Sequence, residues 1–218
     1  MGSVSCQNYM NFDSADASII YQCFNEGDIT ALESNAGGIA GLSRMNIDQS
    51  RNKGNVTSNS FAGGISGQSI NVYNCYSMNG TVSSNIKNVG GIVGGLLTDM
   101  NYENGSKNNY VKYCYSSSPV VVSSTNSSGK GILGTTDGNA YIFDCVTNTD
   151  PSSYSTSSTN YRDDSYILKT GEKISDFQTV VGKGNAYSTV TWGDALGSLK
   201  LTWETEFDAE GGLPGFGN

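Results

Sequence analysis

The 218-residue chain has no histidine and only 3 prolines, and charged residues make up 15% of it. Soluble globular chains average about 25% charged and 45–50% apolar residues, and this chain, at 36% hydrophobic, is low on both counts. The missing histidine excludes a Ser-His-Asp triad, an imidazole acid or base, and any histidine metal ligand. Carboxylate, lysine, tyrosine and cysteine chemistry stay open. Long apolar runs are also missing: the longest lies around Gly90–Leu97, whereas a membrane-spanning helix needs about 20 residues, so membrane insertion is not expected. A net charge of −8 with a pI near 4.4 leaves no basic patch for nucleic acid or an anionic membrane. None of the five cysteines (Cys6, Cys23, Cys75, Cys114, Cys145) sits in a Cys-x-x-Cys pair, and without histidine a zinc site is not expected. No signal peptide is visible, and Met1-Gly2-Ser3 reads as an expression junction with a native leader removed ahead of it.

Small residues take the place of what is missing. Glycine (28), serine (31) and asparagine (23) together exceed a third of the chain, and all three form helices poorly. They fall in a repeat. Ala36-Gly37-Gly38-Ile39-Ala40-Gly41 recurs as Ala62-Gly63-Gly64-Ile65-Ser66-Gly67, Val89-Gly90-Gly91-Ile92-Val93-Gly94 and Gly129-Lys130-Gly131-Ile132-Leu133-Gly134, at intervals of 26, 27 and 40 residues. A second element precedes each copy, beginning at Cys23, Ser50, Cys75 and Cys114, and a partial fifth begins at Ile142-Phe143-Asp144-Cys145-Val146. One such unit is too small to bury its own apolar residues, so the copies must stack. Short runs of Val, Ile and Tyr punctuated by Gly and Asn favour brief strands joined by tight corners.

The expected fold is therefore all-β: a right-handed parallel β-helix, or β-solenoid, of about 4–5 coils with three short strands per coil, about 20 Å long at the rung spacing of a sheet. Ile39, Ile65, Ile92 and Ile132 should stack as one inward ladder, and Ile29, Val56, Val82 and Val121 as another. Asparagines suit left-handed corners. The column Cys23, Ser50, Cys75, Cys114, Cys145 reads as small buried side chains, although stacked cysteines also lie within reach of a Cys75–Cys114 or Cys114–Cys145 disulfide. The domain reading is an N-terminal segment over 1–18 covering one end, repeats over 19–150, and a linker with a small α+β cap over 151–218. In that last part Ser175-Asp176-Phe177-Gln178 matches a capping box, with Ile174, Phe177 and Val181 on one face of a short helix ended by Gly182. The alternative there is a ligand-binding module with Trp192, Trp203 and Tyr187 as contacts. A cap is the plainer reading, because solenoid ends expose strand edges.

The Gly-Gly-Ile-x-Gly pattern, preceded by a Cys-Tyr-x-x-Gly-x-Val-like strand, resembles the GLUG-motif repeat over residues 19–150 and more loosely over 160–218, where Trp203 and Leu213-Pro214-Gly215-Phe216 correspond to its usual ending. Such repeats occur in large bacterial surface proteins, including adhesin-like proteins and the non-catalytic regions of IgA-specific metallopeptidases. Two departures mark the fourth copy as irregular: Lys130 replaces a glycine, and Pro119 replaces the strand-corner glycine. The resemblance implies a secreted, surface-attached bacterial origin and a scaffold without activity.

The leading function is a non-catalytic structural or adhesive segment of a larger surface protein, monomeric as a fragment, with a host or cell-surface protein or glycan as partner. No catalytic, cofactor-binding or metal-binding residues are assigned, and no cofactor is expected. The candidate binding loop is the insert carrying Asp99, Tyr102, Glu103 and Lys107, against which stands a tolerated surface loop. The alternative is a carbohydrate-active β-helix enzyme, glycosidase or lyase, using carboxylates. Its candidates are scattered (Asp28, Glu33, Asp48, Asp99, Asp137, Asp144), and Asp163-Asp164 beside Arg162 read as a solvated loop. A calcium-stabilised solenoid would need Asp after Gly-x in the motif, and no copy has it.

Overall fold

Each turn of the chain bends where glycine or a left-handed residue interrupts a run of two to four extended residues. The computed structural model describes residues 4–9, 19–86, 88–97, 109–123, 129–136, 140–143, 145–148, 161–163 and 166–167. Within them the chain is a β-solenoid of about four turns, with strands in five parallel rows rather than the three expected. The first row holds Asn46–Asp48, Val72–Tyr73, Asn109–Lys112, Ala140–Phe143 and Tyr161–Asp163; the second holds Arg51–Asn52, Tyr76–Ser77, Tyr115–Ser116, Val146–Thr147 and Tyr166–Ile167. One longer strand, Ile19–Asn25, begins both. The third row is Ile29–Thr30, Val56–Ser58, Val82–Ser84 and Val120–Val122; the fourth is Asn35–Gly37, Phe61–Gly63 and Val89–Gly90; the fifth is Ala40–Ser43, Ser66–Ser69, Val93–Leu96 and Leu133–Thr136. On the other edge of Ile19–Asn25 lies Val4–Tyr9, paired antiparallel. The first two rows continue past Asp150, and Arg162 and Asp163 sit in a strand, not in a loop. No helix among the described residues is long and apolar enough to cross a membrane.

The isoleucine ladder forms as expected: Ile39, Ile65 and Ile92 each donate a backbone N–H to the equivalent residue one turn on, ending at Ile132. Ile65, Ile92 and Ile132 are fully buried. The valine ladder needs one correction. Val82 pairs with Val120, not Val121, which is 48% exposed. The cause is an extra residue in the third turn, where Asn79 adopts a left-handed conformation (φ 68) ahead of Gly80. The glycine-equivalent in the fourth turn is therefore Ser118; Pro119 matches Thr81, since its carbonyl accepts from Val82 N as that of Thr81 accepts from Val56 N.

The apolar interior divides into two lobes. One gathers Ile47, Ile65, Val72, Ile92, Val111, Ile132 and the thiols of Cys75, Cys114 and Cys145; the other gathers Ala36, Val56, Ala62, Val82 and Val89. The second glycine of the first three motifs stands where the walls approach. A Cβ on Gly38 would lie 2.4 Å from Asn52 Cγ, one on Gly64 2.2 Å from Ser77 Oγ, and one on Gly91 2.1 Å from Ser116 Oγ. Contacts this short are impossible for real atoms, so the repeat requires glycine at this waist. The first glycine is equally confined: a Cβ on Gly90 would meet Val93 O at 1.9 Å. Lys130 occupies that position in the fourth turn, and there the fourth row shrinks to an isolated bridge between Gly90 and Lys130.

Candidate functional site

The corner between the first two rows repeats with little change. Gln22, Gln49, Asn74 and Tyr113 all take positive φ, between 47° and 57°, a conformation costly for residues with a Cβ. Only one is an asparagine, so the side chain did not announce the corner. The residues that follow these four hold it, and Cys145 makes the same bond at the equivalent position one turn on. Cys23 Sγ, Ser50 Oγ, Cys75 Sγ, Cys114 Sγ and Cys145 Sγ point inward and donate to the carbonyl two residues back, on Tyr21, Asp48, Tyr73, Lys112 and Phe143, at 2.9–3.5 Å. All five are completely buried, and the four cysteines are free thiols, so neither Cys75–Cys114 nor Cys114–Cys145 is bridged. Burial pushes the Cys75 thiol well up from its ordinary value and the Cys114 thiol up as well, which suits a hydrogen-bond donor and opposes a nucleophile.

A second polar column lines the waist. Asn25 Nδ2 donates to Asn52 Oδ1 at 2.8 Å, and each asparagine closes its own corner, Asn25 with Gly27 and Asn52 with Gly54. Ser77, Ser116 and Thr147 continue the register. The carboxylates serve the same end. Asp48, 1% exposed, accepts from Gln49 N and Asn74 Nδ2 through Oδ1. Asp28 accepts from Asn55 N and Nδ2, both at 2.9 Å. Glu33 is exposed on a corner between the third and fourth rows. The structure thus places Asp28, Glu33 and Asp48 on different corners and rows and does not pair them.

Asp99, Tyr102, Glu103 and Lys107 lie outside the described residues, as do Asp137, Asp144, Asp164, the capping box at Ser175–Gln178, Tyr187, Trp192 and Trp203. Among the described residues no group of three or more His, Cys, Asp or Glu is placed to hold a metal ion.

One outward cluster escaped the sequence reading. Asn109–Lys112 and Ala140–Phe143 alternate buried and half-buried residues, which turns Tyr110, Lys112, Tyr141 and Phe143 to the outer face. The three ring centroids stand 5.5, 5.9 and 6.2 Å apart with planes 12–33° from parallel. Lys112 Nζ lies over Tyr110 at 4.0 Å and over Phe143 at 5.2 Å. The signal was the period-2 spacing of Tyr110-x-Lys112 and Tyr141-x-Phe143, but only the cross-strand register, Tyr110 opposite Tyr141 and Lys112 opposite Phe143, joins them. Comparison of the chain with protein-family models, with curated proteins and with solved structures gave no match.

Proposed function

We propose that this chain is a non-catalytic structural and adhesive segment of a larger secreted bacterial surface protein, a solenoid of the GLUG-motif kind. Its partner in this reading is a host or cell-surface protein or glycan, met on a lateral face or on the 98–109 insert. Residues 151–218 act as linker and cap, with Tyr161–Asp163 and Tyr166–Ile167 adding a last rung to the first two rows. The observation that supports it is the division of labour between the two sides of the wall. Inward columns repeat one residue type or its close substitute, as in Ile39, Ile65, Ile92 and Ile132, because each copy must fit the next. The outer column of the fifth row changes at every turn, running Leu42, Gln68, Gly95, Thr135. A scaffold that fixes its interior and varies its exterior is suited to presenting contacts.

The test immobilises the 218-residue chain on beads and measures retention on host-matrix proteins and on a glycan array, with the array glycans analysed afterwards for cleavage. Retention on a defined ligand that stays intact is expected. New reducing ends or unsaturated sugars would replace this reading with that of a carbohydrate-active enzyme, and retention on nothing would remove the adhesive role.

A further inference from the structure

We infer that Tyr110, Lys112, Tyr141 and Phe143 form a binding platform for an acidic glycan, one carrying uronate or sialate carboxylates; this rests on the adhesive reading above and gives it a site. Three observations carry it. The first is the shape of the aromatic group. Centroid separations of 5.5, 5.9 and 6.2 Å with planes 12–33° from parallel describe three rings packed offset against one another, a compact aromatic wall comparable in span to one pyranose ring. A pyranose presents a face of C–H bonds, whose positive edges are attracted to the negative faces of aromatic rings. The second is rigidity. The four side chains stand on two adjacent parallel strands whose alternate residues, Val111 and Ile142, are fully buried in the core, so little conformational freedom is lost when a ligand docks.

The third is charge. The chain is acidic overall, at −8, yet the cation at this cluster is held over two rings. A lysine oriented by cation–π contacts keeps its charge and puts an ammonium beside any sugar that packs against this aromatic wall. A neutral sugar would use the rings alone; the ammonium selects the acidic one. The side chains of this face are half-buried, each keeping part of its surface open to contact.

The experiment probes the 218-residue chain with an array of uronate-containing and sialylated oligosaccharides beside their neutral counterparts, followed by titration of the best one. Tyr141→Leu and Phe143→Leu keep apolar volume while removing the π faces, and Lys112→Gln removes the charge; thermal melting verifies that each variant folds. At least one acidic class is expected to bind, its neutral counterpart tenfold or more weaker. Each leucine variant should lose tenfold or more, and Lys112→Gln should erase the acidic preference. Raising salt to the point where exposed charges are screened should weaken the parent and not the Lys112 variant. The inference falls if no acidic glycan binds, if folded variants bind like the parent, or if this face retains only proteins. Retention elsewhere on the chain would then leave the adhesive reading standing, whereas cleavage of a glycan bound here would keep the platform and overturn that reading.

Discussion

Gly64 shows how much one missing side chain decides. A Cβ there would lie 2.1 Å from Gly91 O and 2.2 Å from Ser77 Oγ, one contact to the next turn and one across the waist. Neither neighbour can move without breaking the ladder it belongs to. Gly64→Ala is expected to destabilise the chain by about 3 kcal/mol, the upper end for overpacking. Gly41 is the control: a Cβ there meets only Asn35 O, at 3.0 Å, and that residue's carbonyl carbon at 3.8 Å, so Gly41→Ala should stay within about 1 kcal/mol of the parent. Paired denaturant titrations would measure both, and equal costs would show that the waist is not what confines Gly64. The repeat of Gly-Gly was plain in the sequence. Its reason was not, because the atoms that exclude a Cβ come from a residue 13 positions away and from the turn beyond it.

The thiol-bearing corner is the element where local chemistry and stacking meet. Cys75 and Cys114 are buried hydrogen-bond donors whose pKa values are raised above the ordinary 9.0, chiefly by loss of hydration. A raised folded value means that the unfolded chain releases the proton first. The stabilisation is therefore fully present below about pH 9 and is lost as pH rises beyond it, by about 1.4 kcal/mol per pH unit for each thiol. Urea titrations between pH 8 and pH 10 should show this decline, flattened by Cys75→Ser with Cys114→Ser; a profile without decline would contradict the buried-donor role. Ser50 already fills one position of the column, donating to Asp48 O at 2.9 Å, which is why serine is the fitting replacement. The sequence showed the column but not the turn it secures, since the left-handed residues before it, Gln22, Gln49, Asn74 and Tyr113, share no side-chain type. The third turn's extra residue was hidden for a similar reason: Asn79 bulges out at a corner and leaves the inward pattern on both sides intact.

At the scale of the whole molecule, each turn touches only the turns beside it, so stability is nearly a sum of neighbour terms. Inner turns have two neighbours and end turns one. Hydrogen exchange should accordingly be slowest at the amides of Ile65 and Ile92, which are fully buried and bonded to the next turn at 2.9 and 3.1 Å. It should be faster at Ile29, half-buried in the first turn despite a 2.8 Å bond to Asn55 O. Uniform protection along the chain would instead mean that the turns open only together. The sequence by itself determined the stacking: residues that cannot bury themselves in 26 positions must find their partners one repeat away, and the glycines and isoleucines mark which atoms meet. Tertiary structure alone decided the five rows, the waist between two apolar lobes, and the outward gathering of Tyr110, Lys112, Tyr141 and Phe143. These depend on which residues face each other across the coil and across the insert between turns, and such distances are set by the accumulated bends of the backbone, not by any residue's own preference.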